Sequence, residues 1–469
     1  MNDIVKVMPD REERLLEKYT LPGPRYTSYP TAPQFSPDFP LREYYTESAK
    51  LRNSADAPFS LYVHIPFCRD ICYYCACNKI VTRDPDIASK YLNLLRVEIE
   101  LQTELHNNKQ LVRQLHFGGG TPTYLNQAEL TELCHMLASN FCLLEHGQRE
   151  YSIEIDPRTI DVNSIALLRG LGFNRISLGV QDFDPLVQKS INRIQPYSLV
   201  KRLVDRIRFH DFRSLSLDLI YGLPNQNQFT VTNTLGKVLD LRPDRIACYS
   251  YAHLPGRFSS QRAIDRFTLP TPKMKLDMQQ YISDRLQAED YIHIGMDHYV
   301  LKDDDLALAQ AEGYLQRNFQ GYSVQMAPHL LGLGVSAISQ VGDFYIQNEH
   351  TLDNYGNRLD KYELPIARGY RMSEEDKLRR YVIMELICNM HLDKIDCELL
   401  FFIDFDQYFA KELIQLEEME TDGLLQISQD HIGITKVGRA FVRNICMVFD
   451  EYLLSKPPDQ NDPKFSATI

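Results

Sequence analysis

From residue 60 onward the chain alternates between two hydrophobic patterns. Short runs rich in β-branched and aromatic residues fall at 60–65, 114–117, 151–155, 175–179, 214–220 and 245–251, and each predicts a strand. The segments between them carry apolar residues at the three-then-four spacing of one helix face. In 87–105, for example, Leu92, Leu95 and Ile99 share a face. Segments 127–141, 162–171, 198–209 and 231–241 read the same way. Six strand–helix repeats in a row predict a parallel sheet, because parallel strands need a crossover and right-handed crossovers place the helices outside. Such a chain suits an incomplete barrel or a strongly curved open sheet, with ligands at the carboxyl ends of the strands.

Both ends of the chain depart from this rhythm. Residues 21–31 read LPGPRYTSYPT, with three prolines, two tyrosines and no helical period. The segment is an ordered irregular arm or a loose leader, and composition alone favours the leader. Beyond about residue 260 the strand pattern fades. Helices are expected at 273–287, 374–388 and 406–418, then a hairpin at 423–435 and a last helix at 437–454. Helix, hairpin, helix is a winged-helix-like pattern, read here as a packing module rather than a DNA-binding one. Residues 455–469 carry two adjacent prolines and read as a loose tail. The expected division is an arm over 1–55, a barrel over 56–270 and a mainly helical C-terminal domain over 271–469.

Composition narrows the function classes. The chain has 469 residues, 44% of them hydrophobic, which is too apolar for a disordered protein. Ten cysteines in this length are too dilute for a disulfide scaffold. With 51 Lys+Arg against 63 Asp+Glu the net charge is −12, which argues against a dedicated nucleic-acid binder. An anionic small molecule remains compatible if local basic groups hold it. Residues 1–19 lack the apolar core and cleavage site of a secretory signal. The densest apolar stretches, 330–338 and 397–405, fall short of the roughly 20 residues that span a bilayer. These features predict a soluble, cytoplasmic protein. In a reducing compartment, clustered cysteines point to metal or redox chemistry.

The cluster is CRDICYYCAC, with Cys68, Cys72, Cys75 and Cys77 directly after the first expected strand. Two metal readings compete. Structural zinc takes four thiolates, usually from two well-separated CxxC knuckles. Three thiolates spaced C-x3-C-x2-C suit instead a [4Fe–4S] cluster whose fourth iron is open to a non-protein ligand. That spacing is the signature of radical S-adenosylmethionine (SAM) enzymes, and its βα setting favours the cluster. The other cysteines (Cys134, Cys142, Cys248, Cys388, Cys397, Cys446) read as small hydrophobes in apolar segments.

Further polar residues recur at the strand ends. Gly118–Gly120 open a GGGTP run that lets backbone approach a ligand closely, and no GK[ST] follows to make it a P-loop. Glu154 and Asp156 end the third strand, Gln181 follows the fourth, and Arg193 lies in the next segment. Asp218 sits inside the apolar fifth strand, either as a structural polar contact or to bind a sugar hydroxyl. Tyr251, Ala252 and His253 end the sixth.

Together these residues resemble the oxygen-independent coproporphyrinogen III oxidases (dehydrogenases) of haem biosynthesis, over nearly the whole chain. The motifs are GPRYTSYPTA, SLYVHIPFC, CYYCACNKIVTR, GGGTPTYL, EIDPR, FNRISLGVQDF, DLIYGLP, YAHLP, IGMDH, NFQGY, LLGLGVSAIS and RNICM. The arm and Cys77 are the more particular features. Related haem chaperones lack the arm and typically have Phe where Cys77 stands. The resemblance implies an incomplete (β/α)6 TIM-like radical SAM barrel with an N-terminal arm and a mostly helical, winged-helix-ended C-terminal domain.

It further implies that Cys68, Cys72 and Cys75 ligate the [4Fe–4S] cluster and that Cys77 is a non-ligand thiol needed for activity. Two SAM molecules are implied. Tyr62, Gly119, Glu154 and Ile338 would contact the first, and Tyr74, Gly120, Thr121, Gln181, Arg193, Asp218 and Ala252 the second. The family often has Phe at the position of Tyr74. The implied reaction converts two propionates of coproporphyrinogen III to vinyl groups, giving protoporphyrinogen IX, CO2, methionine and 5′-deoxyadenosine. A separate electron donor and acceptor are required, no nucleic acid or membrane is involved, and a monomer is expected. Four substrate carboxylates call for cations, for which Arg25, Arg193, His298 and Arg317 are candidates, with Gln320 for a polar contact. The rival readings are a haem-trafficking protein that keeps the cysteine motif and a nucleic-acid module built on the C-terminal end.

Overall fold

The computed structural model describes residues 11–52, 58–106, 111–144, 149–324, 327–455 and 465–468. The chain divides into two compact units. One comprises Gln34–Leu308 and Ser323–Met372; the other comprises Met1–Pro33, Ala309–Tyr322 and Ser373–Ile469.

The first unit is built on one large sheet. Strands β1 (Phe59–Ile65), β2 (Leu111–Gly119), β3 (Glu150–Ile155), β4 (Arg175–Gln181), β5 (Ser214–Tyr221) and β6 (Arg245–Ser250) lie side by side in chain order, all parallel. All six correspond to the expected strands. The alternation of side chains along each strand decides what each face does. Leu61, Val63, Leu115, Phe117, Ile153, Ile155, Ile176, Leu178, Leu215 and Leu217 point to one face and join the main core. The crossover helices cover that face with Leu92, Leu95, Ile99, Leu133, Leu168, Leu203 and Val238. The residues between them, Tyr62, His64, His116, Ser152, Glu154, Ser177 and Asp218, are left on the other face. Register aligns them across strands: Tyr62 pairs with His116, His116 with Ser152, and Glu154 with Ser177. Helix starts are set by local chemistry. Asn126 caps Gln127–Asn140 reciprocally with Glu129, and Asn227 caps Gln228–Leu241 with Thr230.

The sheet continues past residue 260, so the mostly helical C-terminal part begins at Ser373 rather than at 271. Strands β7 (Tyr291–Gly295) and β8 (His298–Leu301) extend it antiparallel beyond β6. On the other side β9 (His329–Leu333) is parallel to β1, followed by β10 (Ile338–Val341), β11 (Phe344–Asn348) and β12 (Ile366–Arg371), each antiparallel to its neighbour. The physical reason is burial on both faces. Every residue of β9 and β11 is buried, so neither strand shows the polar–apolar alternation by which a strand is read. The barrel boundary expected at 270 therefore differs from the packing, which keeps 271–308 and 323–372 in the first unit.

In the second unit the arm is ordered, against the compositional reading of a loose leader. Tyr26 and Tyr29 are fully buried. Pro22 bridges Ala467, Gly23 N–H donates to Ser466 O at 3.0 Å, and Arg443 Nε donates to Pro24 O at 2.9 Å. The tail residues 465–468 are thus the arm's partner; the rest of the expected tail after 455 lies outside the described residues. The expected hairpin forms from Leu425–Ile427 and His431–Ile434, and His391–Asp393 adds a third strand. The expected helix at 406–418 is split at Phe409. The one expected at 437–454 breaks into a 3-10 turn, Val442–Val448 and Glu451–Ser455, because Asp450 accepts from Tyr452 N–H at 3.0 Å and caps a new start. Among the described residues no helix is long and apolar enough to cross a membrane.

One buried carboxylate ties a crossover helix to the β9–β11 part of the sheet. Glu98, on the helix α1 (Ile87–His106), is fully buried and accepts from Gly334 N–H at 2.7 Å, Asn348 Nδ2 at 2.6 Å and Tyr355 OH at 2.5 Å. Beside it, Tyr91 OH donates to His64 O at 2.7 Å and accepts from Val335 N–H at 3.0 Å. The turn between β9 and β10 is thereby fastened to β1. Burial pushes Glu98 from 4.5 up to about 7, against the pull of its three donors. The folded chain thus binds this proton more tightly than the unfolded one, and raising pH through that window costs stability. Urea unfolding of wild type and Glu98→Gln between pH 4.5 and 7 checks this. The wild-type advantage should shrink by roughly 3 kcal/mol on going up in pH; a pH-independent difference would refute it.

Candidate functional site

The cysteine loop starts where β1 ends. Phe67–Cys68 pairs with Ile80–Val81, and Thr82 N–H donates to Cys68 O at 3.0 Å, so the loop is cinched at its base. Neighbouring segments hold its backbone. Asn192 Nδ2 donates to Ile71 O at 2.7 Å, Gln261 Nε2 to Tyr74 O at 3.1 Å, and Ser260 Oγ and Lys79 Nζ to Cys75 O at 3.1 and 3.0 Å. These bonds hold the loop by its carbonyls, and none of its thiols is in a disulfide.

Each thiol has a distinct setting. Cys68 Sγ lies 3.5 Å from Thr121 Oγ1, and burial raises its thiol to about 11. Cys72 Sγ accepts from Arg158 Nη2 at 3.4 Å and Arg193 Nη1 at 3.5 Å. The hydrogen bond with Cys77 lowers Cys75 to about 6 against its burial, with help from Lys79. Cys77 is exposed to solvent, and its own thiol is pushed well up by the hydrogen bond to Cys75 and by that neighbour's charge. Three thiols on a fixed backbone, with Arg158, Arg193 and Lys79 beside them, form a donor set suited to a soft, anionic iron–sulfur group. Among the described residues no three His, Cys, Asp or Glu side chains are drawn together as a preformed metal cage.

Asp156 connects this loop to the sheet. Its carboxylate pairs with Arg158 at 2.7 Å and Arg193 at 2.9 Å. Burial opposes its charge, but the two guanidiniums hold it below the usual carboxylate range. Arg193 is also buried and donates to Gly179 O. Burial works against the Arg193 charge as well, and Tyr74 and Asp156 overcome it.

The inner face of the sheet supplies the remaining groups. Tyr62 stacks on His116 with ring centroids 5.8 Å apart, and Tyr62 OH lies 3.0 Å from His64 Nδ1. Glu154 accepts from Gly119 N–H and lies within reach of His116 Nε2, both at 3.3 Å. Ser177 Oγ donates to Asp218 at 3.0 Å. Burial, and next the Glu154 charge, push Asp218 up to about 7, so it titrates near neutrality. The glycine run has a packing reason of its own. A Cβ on Gly120 would lie 2.5 Å from Pro66 O, and Gly119 has φ +118 with His64 2.7 Å from its would-be Cβ. The end of β2 can therefore press against the start of the cysteine loop only without side chains.

The structure brings the expected site residues together. Tyr62, Gly119 and Glu154 are contiguous, and Ile338 lies across Gly332, the register partner of Tyr62. Thr121 meets Cys68, while Gln181 and Arg193 both overlie Gly179. Gln261 ties Tyr74 O to Ala252 O at 3.1 Å each. Gln181 adopts φ 67, turning the chain sharply out of β4. Sequence reasoning left several members without a role: Asp156 and Arg158, and the inward His64, His116, Ser152 and Ser177. For the four inward residues the signal was present as polar residues at every second position of otherwise apolar strands. Among the carboxylate candidates, His298 lies on β8 edge-on to Tyr249 at 6.0 Å, whereas Arg25, Arg317 and Gln320 belong to the second unit.

The chain matches known families on both units. Residues 62–238 match the radical SAM superfamily, and 372–441 match the HemN C-terminal domain. The oxygen-independent coproporphyrinogen III oxidase of Pseudomonas aeruginosa is 48% identical over 97% of this chain and 98% of that protein. This chain belongs to the oxygen-independent coproporphyrinogen III oxidase family. The Escherichia coli K12 member is 45% identical over 98% of this chain and 99% of its own length. The solved structure of the Escherichia coli coproporphyrinogen III oxidase HemN, described as a radical SAM enzyme, superposes with a TM-score of 0.88 at 45% identity, covering 92% of this chain and 98% of that one.

In this family member Asp156 is the shared counter-ion of two guanidiniums. Asp156→Asn should cost about 3–5 kcal/mol in denaturant unfolding, the usual penalty for orphaning a buried charge. Adding Arg158→Met should restore part of it, and an unchanged unfolding midpoint in the single variant would refute the account.

Proposed function

We propose that this chain is an oxygen-independent coproporphyrinogen III oxidase that decarboxylates two propionates of coproporphyrinogen III to vinyl groups, yielding protoporphyrinogen IX and CO2. The observation that carries the reading is the placement of Cys68, Cys72 and Cys75 on one loop whose Cys68 meets Thr121 and whose Cys72 meets Arg158 and Arg193 at the ends of a parallel sheet, in a chain of this family. The bond to be broken is an unactivated C–H, beyond ordinary acid–base groups. When bound, the [4Fe–4S] cluster and SAM of the radical SAM superfamily supply one-electron hydrogen abstraction at such a bond.

The chain's own residues hold and orient. Cys68, Cys72 and Cys75 would take the cluster, with the Arg158–Asp156–Arg193 triad placing positive charge beside Cys72. Cys77, exposed and hydrogen-bonded to Cys75, remains a non-ligand thiol needed for activity. Tyr62, Gly119, Glu154 and Ile338 would contact one SAM. Tyr74, Gly120, Thr121, Gln181, Arg193, Asp218 and Ala252 would contact a second. The hydrogen bond from Gly119 N–H to Glu154 and the bridge from Gln261 to Tyr74 O and Ala252 O support that grouping. A proton held by Asp218 lets it donate to a hydroxyl as well as accept. A separate electron donor and acceptor complete the reaction, and the chain acts as a monomer in the cytoplasm.

Anaerobically reconstituted protein with reductant, SAM and coproporphyrinogen III should form the divinyl product. Cys68→Ala, Cys72→Ala and Cys75→Ala should each lose cluster iron and product, whereas Cys77→Ser should keep iron and lose product. A reduced-protein paramagnetic resonance spectrum unchanged by SAM would overturn the assignment, and stable haem binding without product would favour a trafficking protein.

A further inference from the structure

Two segments outside the cysteine loop grip its backbone. After β4, Asn192 Nδ2 donates to Ile71 O at 2.7 Å, and Ile191 O accepts from Tyr73 N–H at 3.0 Å. After β6, the 3-10 turn Ser259–Ala263 takes the next two carbonyls. Gln261 Nε2 donates to Tyr74 O and Ser260 Oγ to Cys75 O, each at 3.1 Å. Loop and turn belong to the same compact unit.

Gln261 does more than hold the loop. It is 1% exposed, and a buried amide is stable only when its donors and acceptor are matched. Here all are matched. The second N–H of Nε2 goes to Ala252 O at 3.1 Å, and Oε1 accepts from Leu254 N–H at 2.5 Å. The reversed amide would set Oε1 against two carbonyls and the NH2 group against an N–H, so the partners fix its orientation. Two of these bonds stay within the segment that follows β6, and the third reaches a residue 187 positions away. Three residues beyond Gln261, Ile264 joins Tyr251 in an apolar cluster on which Tyr73 and Tyr74 pack. The turn therefore grips the loop by its carbonyls and by its rings.

We propose that Gln261 is a positioning residue for the second SAM site, holding Tyr74 and Ala252 at one separation through a single amide. The inference rests on the enzymatic reading above, in which both residues contact that molecule. Two carbonyls that share one nitrogen donor cannot drift apart without losing a bond. The site is thus ordered before its ligand arrives, and binding does not bear the entropy of ordering it.

The probe is radiolabelled SAM, with equilibrium dialysis of full-length holoenzyme counting the bound equivalents. Wild type should take up two. Gln261→Met keeps the side-chain length and removes all three bonds. It should weaken the second equivalent by about ten- to a hundredfold, the worth of one to two hydrogen bonds. Iron content and the SAM-induced change in the reduced paramagnetic resonance spectrum should stay as in wild type. A merely structural role would not separate the two equivalents in this way. Hydrogen exchange should quicken at residues 73–75 and 252–254 while β1, β2 and β3 keep their protection. If Gln261→Met does not fold, Gln261→Glu serves as the test. It retains the acceptor for Leu254 N–H, lacks a donor for at least one carbonyl, and should weaken the second equivalent by a smaller factor. Loss of iron and of both equivalents together would mean a purely structural role and would overturn the proposal. Two equivalents bound with wild-type affinity by the variant would overturn the proposal and leave the enzymatic reading intact. A wild type that takes up a single equivalent would overturn the two-SAM reading itself, and the proposal with it.

Discussion

The site depends on one carboxylate shared by two guanidiniums. Asp156 ends a strand of the sheet, and both of its arginine partners reach Cys72. Without that carboxylate, two like charges would be buried side by side at the root of the cysteine loop. With it, the loop, the end of β3 and the Gly179 carbonyl of β4 become one electrostatic unit. The net charge of that triad is positive, which suits a place where thiolates gather.

Around this unit the parallel sheet does two jobs with one periodicity. Its outer face is aliphatic and packs on the crossover helices. Its inner face carries Tyr62, His116, Glu154, Ser177 and Asp218 at every second position. Because register aligns these residues across strands, side chains distant in sequence meet as a continuous polar lining. The same alternation makes the stability of the core and the chemistry of the lining separable. A substitution on one face leaves the other face's contacts in place.

Several features that read as chemistry also serve packing. The glycine run lets the end of β2 approach Pro66 and His64, a closeness that any Cβ would prevent. Glu98, which carries no sequence signal beyond its place on a helix, fastens the β9–β10 turn that leads into Ile338, across Gly332 from Tyr62's strand. Charge behaves likewise. The overall −12 said little about the ligand, because what matters is which cations are already neutralised. Arg193 pairs with Asp156, whereas Arg317 pairs with no carboxylate among the described residues.

The sequence by itself determined the six parallel strands, their crossover helices, the cysteine loop and the strand-end residues. Those are local signals: a period of two or of about 3.6, a cysteine spacing, a capping residue. What it missed was whatever depends on burial from both sides or on partners far along the chain. β9 and β11 lack alternation because both their faces are covered, and the arm reads as loose because its partner is residues 465–468. The Asp156 triad was likewise decided only by tertiary structure. A pairing energy belongs to two residues at a distance, and only folding sets that distance.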